Sequence, residues 1–504
     1  MKTTLLRVLV LVVINPAIGD ALDLRQKVDP LAKRLLADKV AVGFVVGVYK
    51  NGETQVIGYG EVEQGKGIAP SGNTIYEIGS VSKVFTGVLL ADLVDRGRVK
   101  LDEPMQTYLS DAAKNQLKNP THITFEHLAT HTSGLPKLPD NMQPADPMNP
   151  YADYTFKQMF EFLKEYKLER APGQYEYSNF GMGLLGVLLS SREKMPYEKL
   201  MVERIAKPCG MNDTCVTLSE SQHQRLAPPY DSALQPAKNW DMPAFEGTGG
   251  IRSTANDMLK FIAANLANDD KPLTKAFRLS QQKRHSIPNG QAIGLAWHIA
   301  RDGITRWQNG MTGGYATWLA VVPSRKAGVV VLCNTAANQI DGFGEQVTRI
   351  ACGEHTNQAN APTVVHVKPE VLKKYEGVYA ISPQFALTVT LDGDKLMVQG
   401  TGQQALPVVA ESETKFYCKV IDAYLFFVAD KNGKVNYVVL HQNGVNQTAT
   451  RQKESHPHIA PVVQVSKDVL KNYEGVYAIT PQFALTVTLE GDKLMVQATG
   501  QQKF

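Results

Sequence analysis

The chain has 504 residues, room for two or three domains, and 43% hydrophobic residues, enough for a sizeable core. A formal net charge of +4 is small for that length, and no basic run is interleaved with aromatics, so no nucleic-acid partner is expected. Beyond the N-terminus no apolar run is long enough to cross a bilayer.

At the N-terminus, Lys2 and Arg7 precede an apolar run over 8–14, and Ala17-Ile18-Gly19 offers a small-x-small cleavage site. This pattern predicts a signal peptide over 1–19 and an exported protein, periplasmic or secreted, with no integral span after its removal. Of five cysteines, Cys209 and Cys215 are close enough for a small disulfide loop, and the odd number leaves at least one thiol unpaired within the chain. His122, His127 and His131 follow one another at spacings of five and four without an accompanying cysteine or carboxylate pattern. No metal or cofactor is expected.

Residues 42–50, the turn Asn51-Gly52 and residues 53–60 read as a β-hairpin. A short strand over 74–78 follows, then Gly79 at a turn and a helix running to about Arg96. Val84, Phe85, Val88, Leu89, Leu93 and Val94 give that helix its apolar face, and Gly97 stops it. Residues 101–240 are mostly helical with long polar loops. Strands return at 293–299, 306–308, 316–322 and 328–332. Strands from both ends around a helical middle predict an α+β domain over 20–352: an antiparallel sheet flanked by helices, with a helical subdomain inserted.

A polar linker over 353–364 leads to a small β-rich domain over 365–453. Residues 371–404 then recur as 469–502 with 30 of 34 positions identical, a truncated second copy within 461–504. Near-identity points to a recent duplication, not a solenoid. Half a β-domain leaves sheet edges open, so the repeat is expected to be disordered, to dock on a neighbour, or to swap between chains; self-association through it stays open.

The chemistry concentrates at Ser80-Val81-Ser82-Lys83. Residues three apart share a helix face, so the Lys83 amine can reach the Ser80 hydroxyl, and a helix start favours an anion forming beside it. Three other pairs at this spacing (Ser191 and Lys194, Ser280 and Lys283, Ser412 and Lys415) lack the strand–turn–helix setting. Four further motifs follow in order: Leu128-Ala129-Thr130-His131-Thr132-Ser133-Gly134-Leu135-Pro136, Tyr177-Ser178-Asn179, Gly249-Gly250-Ile251-Arg252-Ser253-Thr254 and Thr312-Gly313-Gly314.

In these five motifs the chain resembles the serine hydrolases related to class C β-lactamases, DD-peptidases and family VIII esterases, over about residues 42–334. The C-terminal β-domain resembles the lipocalin-like domain appended to some members. The resemblance implies an acyl-enzyme on Ser80, activated by Lys83 or by Tyr177; which of them takes the first proton stays open. It also implies that Asn179 orients the substrate amide and Lys83, that the N–H groups of Ser80 and Gly314 form an oxyanion hole, and that Gly313 lets substrate lie along a strand edge. The family's third motif usually begins with a lysine or histidine that grips a substrate carboxylate. Here that place is given to Met311, with Arg252 or Arg306 as substitutes from elsewhere. β-Lactams are the expected substrates, with peptidoglycan peptides and short esters as alternatives. A penicillin-binding sensor or scaffold is the reading without turnover.

Overall fold

A computed structural model describes residues 16–108, 123–287, 290–354, 365, 367–382, 385–418, 421, 423–430, 433–442, 445–452, 467–480, 483–490 and 493–498. Residues 1–15 of the expected signal segment and most of the linker lie outside them, as does His122. The chain forms two compact units, residues 1–356 and 357–504.

The first unit is built on an eight-stranded antiparallel sheet of order β2-β1-β10-β9-β8-β7-β6-β5. β1 (Gly43–Lys50) and β2 (Glu53–Gly60) form the expected hairpin, and Asn51 and Gly52 adopt the positive φ of 52° and 97° that the turn needs. The other strands, β5 (His285–Ile287), β6 (Gln291–Ile293), β7 (His298–Ile299), β8 (Arg306–Met311), β9 (Ala316–Val322) and β10 (Ala327–Cys333), come from the far side of the helical region. The strand expected over 293–299 is broken: Gly294 N donates to Trp297 O at 2.8 Å, turning the chain between β6 and β7.

The central strands are apolar on both faces, and period-two alternation divides their side chains between two cores. Phe44, Val46, Val48, Val329 and Val331 pack with Ala32 of α1 (Pro16–Ala37) and with Phe343 and Val347 of the helix Gln339–Ala351. Val45, Val330, Leu332, Leu319 and Val321 face the larger core, which contains α2 (Ser82–Asp95) and the inserted helical region. Helix α2 is buried on nearly every side, so it presents no polar face to solvent. Gly87 permits this: a Cβ there would stand 2.2 Å from Leu295 O. Together these features make the α+β class expected for this unit. Cys209 and Cys215 are separate thiols in it, so the short loop between them is not closed by a disulfide.

The second unit contains a closed eight-stranded antiparallel barrel, β11 to β18, spanning Gly377 to Arg451. Its core includes Tyr375, Tyr379, Leu387, Phe416 and Phe427. The repeated segment forms a separate three-stranded sheet, β19 (Gly475–Thr480), β20 (Phe483–Glu490) and β21 (Lys493–Ala498), in the register of β11 (Gly377–Ser382), β12 (Phe385–Asp392) and β13 (Lys395–Gly400). Local bonds recur in both copies. Tyr379 donates to Tyr375 O at 2.8 Å, and Tyr477 donates to Tyr473 O at 2.9 Å. Burial does not recur: Tyr379 is 0% exposed and Tyr477 47%.

Candidate active site

The site begins where β3 (Ile75–Glu77) gives way to one 3-10 turn, Gly79–Val81, and then to α2. β3 pairs with β4 (Arg252–Thr254) and, at Ile75, bridges to Leu226, and Ile78 N donates to Ile251 O at 3.0 Å. Ser82 Oγ accepts from Ile251 N at 3.1 Å. The fourth motif therefore braces the turn that carries Ser80. Gly79 has φ of 51°, and a Cβ on it would stand 2.7 Å from Met311 N, so glycine is required twice over.

Lys83 Nζ donates to Ser80 Oγ at 2.8 Å and to Thr248 O at 3.0 Å. The amine is fully buried, and loss of hydration, with a smaller contribution from Lys137, lowers its pKa well below the usual lysine value. Among the described residues no carboxylate is one of the groups that shift it. A buried amine in this state is a hydrogen-bonded base set against the serine.

Tyr177 stands on the other side of the lysine. Lys83 Nζ lies over its ring, 5.0 Å from the centroid. Burial raises the phenol pKa, while Ser80 and Gln308 act in the opposite direction as polar neighbours of its oxygen. The second motif supports this ring. His131 packs against it with centroids 4.4 Å apart, and His131 Nδ1 accepts from Ser178 N at 3.1 Å. His131 holds a positive φ of 56°, a conformation that costs free energy in a non-glycine residue and is fixed here by the surrounding contacts. Burial keeps its imidazole neutral.

Asn179 opens the helix Asn179–Glu193, with the Ser178 hydroxyl accepting from Gly181 N at 2.8 Å as the N-cap. Its main-chain carbonyl accepts from Thr248 Oγ1 at 2.9 Å. The expected bond to Lys83 is not formed: Asn179 Oδ1 is buried without a hydrogen-bond partner among the described residues, and Thr248 O takes the position beside the amine.

The third motif departs from expectation in register. β8 alternates its faces, so Gln308, Gly310 and Thr312 turn one way and Trp307, Asn309 and Met311 the other. Asn309 donates to Asp341 Oδ2 at 2.7 Å, on the side of the helix Gln339–Ala351, and the Met311 side chain is 38% exposed. The side chain beside Tyr177 is Gln308, which is neutral and wholly buried. Neither proposed substitute supplies a cation there. Arg252 is committed to Val216 O (2.6 Å), Trp240 O (2.9 Å) and Glu77 (3.4 Å), and Arg306 donates to Gly303 O at 2.7 Å.

The same register moves the expected anion-binding amide. Thr312 N donates across the hairpin to Tyr315 O at 3.0 Å, so the adjacent Met311 N–H points out of the hairpin, toward the Ser80 turn. A Cβ on Gly310 would stand 3.0 Å from Ser80 N and 2.1 Å from Ile78 O, so hydrogen alone fits between this strand and the Ser80 turn. Gly314 lies elsewhere: a Cβ on it would stand 2.2 Å from Pro229 Cβ, and its carbonyl accepts from Tyr230 N at 3.4 Å. Gly313 abuts the Trp240 indole, and Thr312 borders the buried Glu77 carboxyl. The structure thus gathers Ser80, Lys83 and Tyr177, adds Gln308, His131 and the Met311 amide, and sends Gly313 and Gly314 into packing contacts.

Comparison with known proteins agrees with this architecture. Residues 28–351 match the Beta-lactamase family model, and residues 361–454 match a domain of unknown function, DUF3471. The D-alanyl-D-alanine-carboxypeptidase/endopeptidase AmpH of Escherichia coli strain K12 is 30% identical over 347 residues, covering 64% of this chain and 89% of that protein. A beta-lactamase of Pseudomonas fluorescens is 29% identical over 352 residues, covering 62% of this chain and 94% of that protein. Among solved structures, a Beta-lactamase/D-alanine Carboxypeptidase from Yersinia pestis complexed with citrate superposes with a TM-score of 0.58 at 25% identity, covering 66% of this chain and 99% of that one. A class C beta lactamase from Rhodobacter sphaeroides gives a TM-score of 0.55 at 21% identity, covering 65% and 98%. The chain belongs to the beta-lactamase family, as a serine hydrolase with an additional β-barrel domain.

Proposed function

We propose that the chain is an exported enzyme that cleaves β-lactam amides through an acyl-enzyme on Ser80. In this reading Lys83 removes the serine proton, and Tyr177 delivers a proton to the departing nitrogen. The observation that carries it is the opposite perturbation of two neighbours on Ser80. Burial holds the lysine toward its neutral, basic form and the phenol toward its protonated, acidic form. Two groups whose environments drive them apart in this way divide naturally into base and acid. The N–H groups of Ser80 and Met311 would receive the oxyanion, each such donor being worth about 3 kcal/mol.

An acid poised for the leaving group favours amides over esters, because an amine leaves poorly until it is protonated whereas an alkoxide needs less help. Within amides, the similarity to AmpH supports a second reading, hydrolysis of D-alanyl peptides. One preparation assayed on nitrocefin, a D-Ala-D-Ala peptide and p-nitrophenyl butyrate separates these readings. Nitrocefin turnover that exceeds the other two and vanishes in Ser80→Ala is the expected result. Turnover of the ester alone would overturn the amide assignment. A penicillin adduct on Ser80 that persists under mass spectrometry would mean a binding protein in place of a hydrolase.

A further inference from the structure

Gln308, which the catalytic assignment above does not use, closes a chain of buried polar groups. Its Oε1 lies 2.7 Å from His298 Nδ1, and His298 Nε2 lies 3.1 Å from the Tyr175 hydroxyl. The donor inventory fixes the directions. An amide oxygen only accepts, so Nδ1 carries the imidazole proton; Nε2 then accepts, and Tyr175 donates. The imidazole is neutral, its pKa pushed down to about 4 by burial. Stacking of His298 on Trp307 (4.6 Å) and of Trp307 on Trp318 (5.2 Å) resists rotation of the ring. With its oxygen committed, the Gln308 amide has only Nε2 to offer. That nitrogen is buried and has no hydrogen-bond partner among the described residues, while the amide is a polar neighbour of the Tyr177 oxygen.

We propose that Tyr175, His298 and Gln308 form a relay of fixed donors that aims one amide N–H at the Tyr177 oxygen, so that a neutral group stands where the family pattern leads one to expect a cation. The inference rests on the function proposed above. When Tyr177 gives its proton to the departing nitrogen, its oxygen becomes a phenolate, and the Gln308 N–H stabilises that charge with one hydrogen bond. Lys83, which took the Ser80 proton, returns a proton to the phenolate, so the count closes. Tyr175 and His298 act through Gln308 and are positioning residues. The orphaned Nε2 is explained as a donor held for a charge that appears only during turnover.

The test uses the full chain and nitrocefin. Gln308→Met removes the donor at similar volume, and kcat should fall about tenfold or more with KM changed less than about threefold. His298→Ala should cost a similar factor. His298→Asn, which keeps a donor toward Gln308 Oε1, should restore most of it. In the Tyr177→Phe background Gln308→Met should have no further effect. Wild-type kcat in Gln308→Met, or an equal loss in the Tyr177→Phe background, overturns the relay. Should Gln308→Met fail to fold by circular dichroism, the His298 pair decides, and no recovery in His298→Asn overturns it. Ser80→Ala keeps the two ideas apart. Turnover surviving in that variant sinks the assignment of the nucleophile, whereas a dead Ser80→Ala beside a fully active Gln308→Met sinks only the relay.

Discussion

Lys83 meets Tyr177 through the face of its ring, 5.0 Å from the centroid, while its amine hydrogens go to Ser80 Oγ and Thr248 O. The lysine thus touches the nucleophile directly, and its contact with the phenol is a ring contact. Removing the phenol oxygen should therefore spare the first proton transfer and damage the second. Because the acyl-enzyme forms only as the nitrogen departs, Tyr177→Phe is expected to slow acylation, and with it steady-state turnover of nitrocefin, by about 100-fold or more, whereas p-nitrophenyl butyrate, whose leaving group needs no proton, should lose far less. Rates on the two substrates would show this. An equal loss on the ester would move the base from Lys83 to Tyr177.

The buried amine also leaves a mark on stability. Its folded pKa is below 10.5, so between the folded value and 10.5 the unfolded chain binds the extra proton. Stability must then rise with pH across that window as this group's contribution is recovered. Lys83→Met removes the contribution and should flatten the dependence. Melting temperatures at about pH 7 and 9.5 for both proteins check this, and identical slopes would place a charged lysine in the folded site.

Gly310 is held to hydrogen by Ile78 O and Ser80 N. Gly310→Ala should push β8 away from the nucleophile turn and cut kcat by about 100-fold, by displacing the Met311 amide as well. Activity near wild type would show that the strand and the turn can separate without harm.

Arg252 ties Glu77 to the loop at Trp240, and both side chains are nearly inaccessible. Arg252→Met removes the cation from the buried Glu77 carboxyl, leaving it neutral donors such as Asn239 Nδ2 and Trp240 N, and should cost about 3 kcal/mol of stability. Urea unfolding measures it. A double variant that also carries Glu77→Gln should recover part of the loss, because the orphaned charge is gone.

Much of this was legible in the chain itself. The Asn51-Gly52 turn, the apolar run along 316–322 and the apolar helix after Ser80 place the sheet and the Ser80 turn, because local pattern and burial agree there. The third motif was legible in composition and misread in register. Residues 307–315 include three glycines, and with a period of two a shift of three residues changes which face every side chain takes. Pairing with β9 and the neighbouring β7 settles that Gln308 looks inward and Met311 outward. His131 and His298 are farther from reach. His131 ends a series of spaced histidines and His298 stands alone, and what assigns each is a partner 47 or 123 positions away, Ser178 for one and Tyr175 for the other. Asn179 shows the converse, a side chain whose expected partner is taken by a backbone carbonyl that sequence does not mark.

The two copies of Tyr-Glu-Gly-Val-Tyr make an internal control on how strands acquire protection. Both keep the same tyrosine-to-carbonyl bond, yet one aromatic ring is sealed inside a barrel and its twin meets water. The strands 377–382, 385–392 and 395–400 and their counterparts 475–480, 483–490 and 493–498 should therefore exchange amide hydrogens at very different rates within a single molecule, for the former are closed into a barrel by five further strands.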